Sequence, residues 1–138
     1  MSTGALARVA PVFDRAPFIR LMGYRLVDAG DGWVETELEV AERHRQQHGY
    51  VHAGVVTAMA DHTSGAAATT VIPEGRSILT AHLATPLLRP AAGGTLRCRA
   101  EVVKPGRTLI VTRADVFCDD THVALFDGTM VSVEGDIA

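Results

Sequence analysis

Between Val51 and Pro73 the chain reads VHAGVVTAMADHTSGAAATTVIP, and Asp61 is the only residue in that stretch with a formal charge. A helix built from it is apolar almost all round, whereas a helix lying on a surface shows one charged face. Such a helix has to be enclosed. Its many Ala, Gly, Ser and Thr residues permit close wrapping by other elements, and it is too weakly hydrophobic to span a membrane. Burying an unpaired carboxylate costs several kcal/mol or raises its pKa. The fold must therefore offer Asp61 partners (His62, Thr57 and Ser64 are at hand), an exposed rim, or a chemical task.

The 138 residues, 47% hydrophobic and 21% charged, fit one domain over 1–138 that buries roughly two-thirds of its unfolded surface. That is enough chain to surround the helix. A net charge of -3 argues against nucleic acid or an anionic membrane as partner, because neither is attracted over distance. With no secretory run in Met1 to Val12 and no stretch of about 20 strongly apolar residues, the expectation is a soluble cytoplasmic protein. Cys98 and Cys118 are the only cysteines, lack C-x-x-C spacing and sit in strand-like sequence; both are read as reduced core residues.

Residues 1–12 are Ala-rich and uncapped, so loose order is expected there. Apolar residues at 18, 19, 21 and 22 predict a short helix ended by Gly23. From Tyr24 to Val40 the period becomes two, broken by Asp28-Ala29-Gly30-Asp31-Gly32, which predicts a hairpin. Ala41 to Tyr50 is polar and irregular, a natural functional loop. After the helix come four predicted strands, about Ser77–Leu88, Thr95–Val103, Arg107–Cys118 and His122–Val133, joined by short turns. Those turns predict antiparallel pairing of each strand with the next.

Two strands, one long buried helix and four more strands suggest an α+β architecture: a curved antiparallel sheet wrapped around the helix. This resembles the hotdog fold. One sheet cannot enclose the helix on every side and leaves bare edges, so a homodimer is expected.

The helix start supplies free N–H groups and a positive dipole end, able to polarise a carbonyl and stabilise the oxyanion of an attacked thioester. Asp61 is eight residues beyond Ala53, about 12 Å along the axis and roughly 80° around it. That is too far for both to meet one carbonyl within a single helix. An antiparallel helix from a partner subunit would bring them together across the interface.

Gln46-x5-His52-Ala53-Gly54-x6-Asp61-x3-Gly65 resembles the signature of the PaaI-type hotdog thioesterases, which include phenylacetyl-CoA and hydroxybenzoyl-CoA enzymes. Leu88-Arg89-Pro90-Ala91, Val103-Lys104-Pro105-Gly106-Arg107-Thr108 and Val123-Ala124 through Gly128-Thr129-Met130 continue the similarity, which spans about Gly23 to Val133. The resemblance implies an acyl-CoA thioesterase with Asp61 as catalytic carboxylate, either nucleophile or base. It assigns the polarising amide to Ala53, where Gly is more usual, and close approach to Gly54. Gln46, with Gln47 beside it, would orient water or the thioester carbonyl, and His52 would brace the loop. A water-positioning hydroxyl aligns near Thr80, with Ser64 on the helix as its rival. Aromatic or medium-chain acyl groups are the implied substrates, with Ala60, Gly65 and Ala66 leaving room for them. The implied assembly is a dimer of dimers.

Coenzyme A brings phosphates, for which Lys104 and Arg107 flank a turn and Arg76 and Arg89 are further candidates. Gly106 would let the chain approach the nucleotide closely. His44, His48 and His52 recur at spacing four, but a loop does not keep helical geometry and no carboxylate or Cys completes a ligand set, so no metal is expected. No redox cofactor is implied. His62 lies about 100° around the helix from Asp61, which does not suit an Asp-His relay. A hotdog hydratase would need an Asp and a His several residues apart, unlike Asp61-His62. The remaining alternative is a non-catalytic acyl-CoA-binding or regulatory hotdog module.

Overall fold

The structure, a computed structural model, describes residues 3–135. Helices α1 (Thr3–Asp14) and α2 (Pro17–Met22) precede the hairpin β1 (Arg25–Gly30) and β2 (Trp33–Glu39). A single 3-10 turn, Glu42–His44, leads to α3 (Ala53–Thr69), followed by β3 (Arg76–Ala84), β4 (Thr95–Lys104), β5 (Leu109–Cys118) and β6 (Thr121–Glu134). The strands form one antiparallel sheet in the order β1-β2-β4-β5-β6-β3. This is the α+β hotdog architecture, and α3 touches β2, β3, β4, β5 and β6. Among the described residues no helix is long and apolar enough to cross a membrane.

Local sequence explains most boundaries. Pro17 presets the first turn of α2, and Gly23, at φ 90°, ends it by donating its N–H to Ile19 O. In β2 the period of two buries Val34, Thr36 and Leu38 and turns Glu35 and Glu37 outward. Register sets Arg99 opposite Glu35 and Arg97 opposite Glu37, with N···O separations of 2.5 and 3.5 Å. Each exposed pair is worth little, but a one-residue slip would set the apolar side of β2 in their place.

The helix is enclosed as expected, with Met59, Ala60, Ala66, Ala67 and Ala68 almost wholly buried. Most polar groups in this core are paired, Ser64 Oγ being an exception. Thr36 Oγ1 lies 2.8 Å from Thr63 Oγ1, which donates to Met59 O at 2.6 Å. Tyr24 donates its hydroxyl to Val55 O at 2.6 Å, and burial pushes that phenol well above its ordinary pKa. Cys98 and Cys118 are free and buried, and burial raises the Cys98 thiol to about 12.

Three expectations are corrected. First, β3 does not pair with β4: it lies on the outer edge beside β6, while β4 sits between β2 and β5. Residues 85–94, with Pro86 and Pro90, cross the end of the sheet instead of forming a hairpin. That crossing is held by Leu88 N–H to Val123 O, Val51 N–H to Ala91 O and Val40 N–H to Gly94 O, at 2.8, 2.8 and 2.9 Å. Second, the strand expected to reach Leu88 ends at Ala84, and Leu87 makes only an isolated bridge to Ala124. Third, the stretch expected to be loose carries α1. Its Ala5, Val9 and Phe13 are buried against the core, and Arg8 donates to Ile72 O. Packing against the core stabilises this helix.

Two histidines act as fasteners. His44 is fully buried; its Nδ1 accepts from Ala41 N–H and its Nε2 donates to Met22 O, each at 2.8 Å. Both ring nitrogens are thus used within the protein, and its carbonyl accepts from His52 N–H at 2.8 Å. His62 donates Nε2–H to Val12 O at 3.0 Å and meets the Phe13 ring edge-on at 4.8 Å.

Replacing His44 by Leu leaves the half-buried Ala41 N–H without its acceptor and Met22 O with Arg43 as its one remaining side-chain donor, and should cost about 1–3 kcal/mol in chemical denaturation. Burial holds the folded His62 below the ordinary value of 6.5, against the opposing pull of Val12 O and Asp61. The unfolded chain therefore takes up a proton that the folded chain refuses, so stability is complete above about pH 7 and declines as pH falls toward the folded pKa. The urea midpoint should drop between about pH 7.5 and 5.5, and His62→Gln should flatten that decline.

Candidate active site

Asp61 lies halfway along α3, on the helix side where Gly65 and Thr69 follow one and two turns later, facing the edge strand β3. The sheet stops there, so Asp61 is half-buried in the single chain and not fully buried as expected. Its partner comes from β3: Thr80 donates its hydroxyl to Asp61 Oδ1 at 2.8 Å, and Met130 Sδ lies 3.4 Å from Thr80 Oγ1. The β3–β6 register slips between Thr80 and His82, a local bulge of the kind that re-aims a side chain. Asp61 and Thr80 open on a cleft of about 440 Å3 whose walls include Val12, His62, Gly65 and Ile78.

Ser64 does not compete for Asp61. Three residues further on, it falls on the inner side of the helix, fully buried, with Oγ lacking any hydrogen-bond partner. Ala60 and Ala66, expected to leave room for an acyl group, are likewise sealed in the core. Gly65 alone of the three lines the cleft.

The other half of the expected chemistry sits at the start of α3. His52 is the N-cap: in extended conformation, φ -61° and ψ 136°, it accepts the Gly54 N–H on Nδ1 at 2.8 Å. A Cβ on Gly54 would stand 3.0 Å from that nitrogen, so glycine there admits the capping ring. Val55 N–H is taken by His52 O at 2.9 Å. Among the described residues nothing accepts from the Ala53 N–H, which leaves it as the open donor at the helix start.

The polar loop supports this end. Gln46 folds back on itself, its Oε1 accepting from His48 N–H, and its backbone pairs with Tyr50 O at 2.8 Å. Gln47 is exposed in the turn. Within one chain Asp61 and Thr80 meet, while Ala53, Gly54, His52 and Gln46 gather at the helix start, about 12 Å away along α3.

Of the cations, Arg107 is exposed and lines a second cleft with Arg76, Pro105 and Gly106. Arg76 also lines the Asp61 cleft and so stands between the two, its guanidinium anchored on Ser132 at 2.7 Å and beside Glu134 at 3.7 Å. Lys104 is exposed at the end of β4 and does not line that cleft. Gly106 has a requirement of its own: a Cβ would meet Leu109 O at 2.0 Å, so the hairpin itself demands glycine. Arg89 is tied to His122 O at 2.9 Å.

Sequence reasoning missed Tyr24, which fixes the first turn of α3, and the Val12 wall contributed by α1. No local pattern announces either, because both depend on contacts across more than thirty residues.

Residues 48–125 match the family described as the Thioesterase superfamily. They span α3 and most of the sheet, and contain Ala53, Asp61 and Thr80. A thioesterase family protein from Silicibacter pomeroyi shares 34% identity over 96% of this chain and all of that one, with a TM-score of 0.91. A conserved protein from Pseudomonas aeruginosa shares 30% identity over 86% of this chain and 94% of its own, with a TM-score of 0.82. The PaaI protein of the E. coli phenylacetic acid degradation operon, 20% identical over 97% of this chain and 96% of its own, has the same fold at a TM-score of 0.87. An enclosed helix with its carboxylate at the sheet edge, a capped helix start with one open amide, and a family match over more than half the chain agree: this chain belongs to the thioesterase superfamily of hotdog-fold hydrolases.

Proposed function

We propose that the chain hydrolyses an acyl-CoA thioester at a site shared by two subunits, with Asp61 as its carboxylate. The observation that carries this is the Thr80 hydroxyl held on Asp61 at 2.8 Å, at the mouth of the cleft beside an unpaired sheet edge. The outer half of β3 is exposed, including Leu79 and Leu83, and a bare edge strand with apolar side chains favours pairing with a second copy. Antiparallel pairing of two β3 edges lays the two α3 helices side by side, head to tail. The Ala53 amide of one subunit then faces Asp61 of the other, and two such dimers form the tetramer.

In this site the thioester carbonyl accepts from Ala53 N–H, whose position at a positive helix end suits a developing oxyanion. Asp61 takes a proton from a water that Thr80 helps to hold, and the water oxygen adds to the carbonyl carbon. Collapse breaks the C–S bond, releasing the acid and coenzyme A. The alternative, direct attack by Asp61, gives an anhydride that water then opens. Gln46 and Gln47 stand beside the carbonyl, Gly54 and His52 keep the amide in place, and Arg107, with Lys104 and Gly106 at the same hairpin, receives the phosphates. The acyl group is aromatic or of medium length, and no metal or redox cofactor takes part.

With a panel of acyl-CoA thioesters and detection of free thiol, Asp61→Asn should lower kcat by roughly 10²–10⁴-fold and Thr80→Val by about tenfold or more. Retained binding with no wild-type turnover would instead support a non-catalytic acyl-CoA-binding module. Single turnover in 18O water separates the two routes, since label enters the Asp61 carboxylate only through the anhydride.

Ala53→Pro tests the shared site with little damage to the helix. Proline is well tolerated at the first helical position, and His52 already has the extended conformation that precedes it. Removing this one donor should cost about 10²–10³-fold. Re-associated mixtures of Ala53→Pro and Asp61→Asn should recover up to about a quarter of wild-type activity, because half the dimers are mixed and each carries one intact site. Additive, unrecovered losses would place both groups in one subunit.

A further inference from the structure

The cleft at Asp61 has a wall that belongs to neither the sheet nor the central helix. Val12, in the last turn of α1, lines it together with His62, Gly65 and Ile78. Gly65 follows Asp61 by one turn on the same side of α3 and has no side chain, and a Cβ there would still clear Ile78 by 3.9 Å. Room is thus left one turn beyond the carboxylate, and Val12 is the apolar residue that α1 supplies to the same cleft.

This wall is fastened. His62 holds the Val12 carbonyl at 3.0 Å and meets Phe13 edge-on, while Arg8 reaches the Ile72 carbonyl beyond the far end of α3. Val9 and Phe13 are buried on the inner face of α1. Val12, on a neighbouring position, remains half-exposed toward the cleft. A helix tied through Val12 to the middle of α3 and through Arg8 to the segment after it cannot swing aside for a longer ligand without losing these contacts.

We infer that Val12 is a specificity-determining residue: held by His62, it closes the acyl end of the Asp61 cleft and restricts the enzyme to compact acyl groups of about one ring in length. This rests on the thioesterase reading above and adds which residue sets acyl length. Val12 touches neither the thioester nor Asp61, so it should act on acyl preference and not on the chemical step.

The test compares wild type, Val12→Ala, Val12→Leu and Val12→Thr on benzoyl-, phenylacetyl-, hexanoyl- and decanoyl-CoA, with melting curves recorded for each. Val12→Ala should raise kcat/KM for decanoyl-CoA relative to phenylacetyl-CoA by about tenfold, mostly through KM. Val12→Leu should shift the ratio the other way, and the isosteric Val12→Thr should leave it near wild type. Identical ranking of the panel by the wild type, Ala and Leu proteins, all melting normally, would overturn the inference while leaving hydrolysis intact. A Thr variant that behaves like Ala would overturn it as well, by showing that polarity and not width decides. Absence of turnover on every thioester by folded wild-type protein would remove the hydrolase reading and this inference together.

Discussion

The structure depends on a mismatch between a helix that must be enclosed and a single sheet that cannot enclose it completely. Along most of α3 the strands cover the helix, and small side chains let them come close. At β3 the coverage stops, and there the chain places its one charged residue of the segment. Burial is expensive for a carboxylate, and at the sheet edge Asp61 avoids full burial while staying out of bulk solvent, with the Thr80 hydroxyl as its partner. The position that is cheapest for a charge is also the one open to a ligand.

The rest of the molecule can be seen as support for the two ends of that helix. At its start, His44 ties α2, the polar loop and the backbone of His52 together, so that the cap is set from a fully buried anchor. At its middle, Thr36 and Thr63 pin it to β2, and Tyr24 fixes the first turn. At the edge, the β3–β6 register and its slip after Thr80 bring Thr80 beside Asp61 and not one position away. The chemistry assigned to the site needs that accuracy, since a hydroxyl displaced by one residue would point to the opposite face.

Much of this was legible in the amino-acid order. The enclosed helix follows from the composition of 51–73, and Asp61 stands out there because nothing else is charged. The β1–β2 hairpin follows from strict alternation. Thr80 was reachable only through family resemblance, because its approach to Asp61 depends on a bulge that no local pattern encodes. Ser64 was its rival by the same resemblance, but it is turned into the core. The placement of β3 was misread because turn residues show that the chain reverses, not which strand it joins afterwards. The first helix escaped notice for a related reason: its order comes from Val9, Phe13 and Arg8 meeting distant residues.

The cap at the start of α3 carries an implication for how sequences of this type can drift. At position 53 only the main chain is asked to contribute, so the identity of the side chain is open to change; alanine stands where glycine is usual, and the open N–H is unaffected. At position 54 space is tighter, because a methyl group would stand 3.0 Å from the imidazole of His52 and press on the capping ring. Two adjacent small residues thus meet different demands: the proposed chemistry asks only the main chain of the first, while the second lies close against the ring that caps the helix.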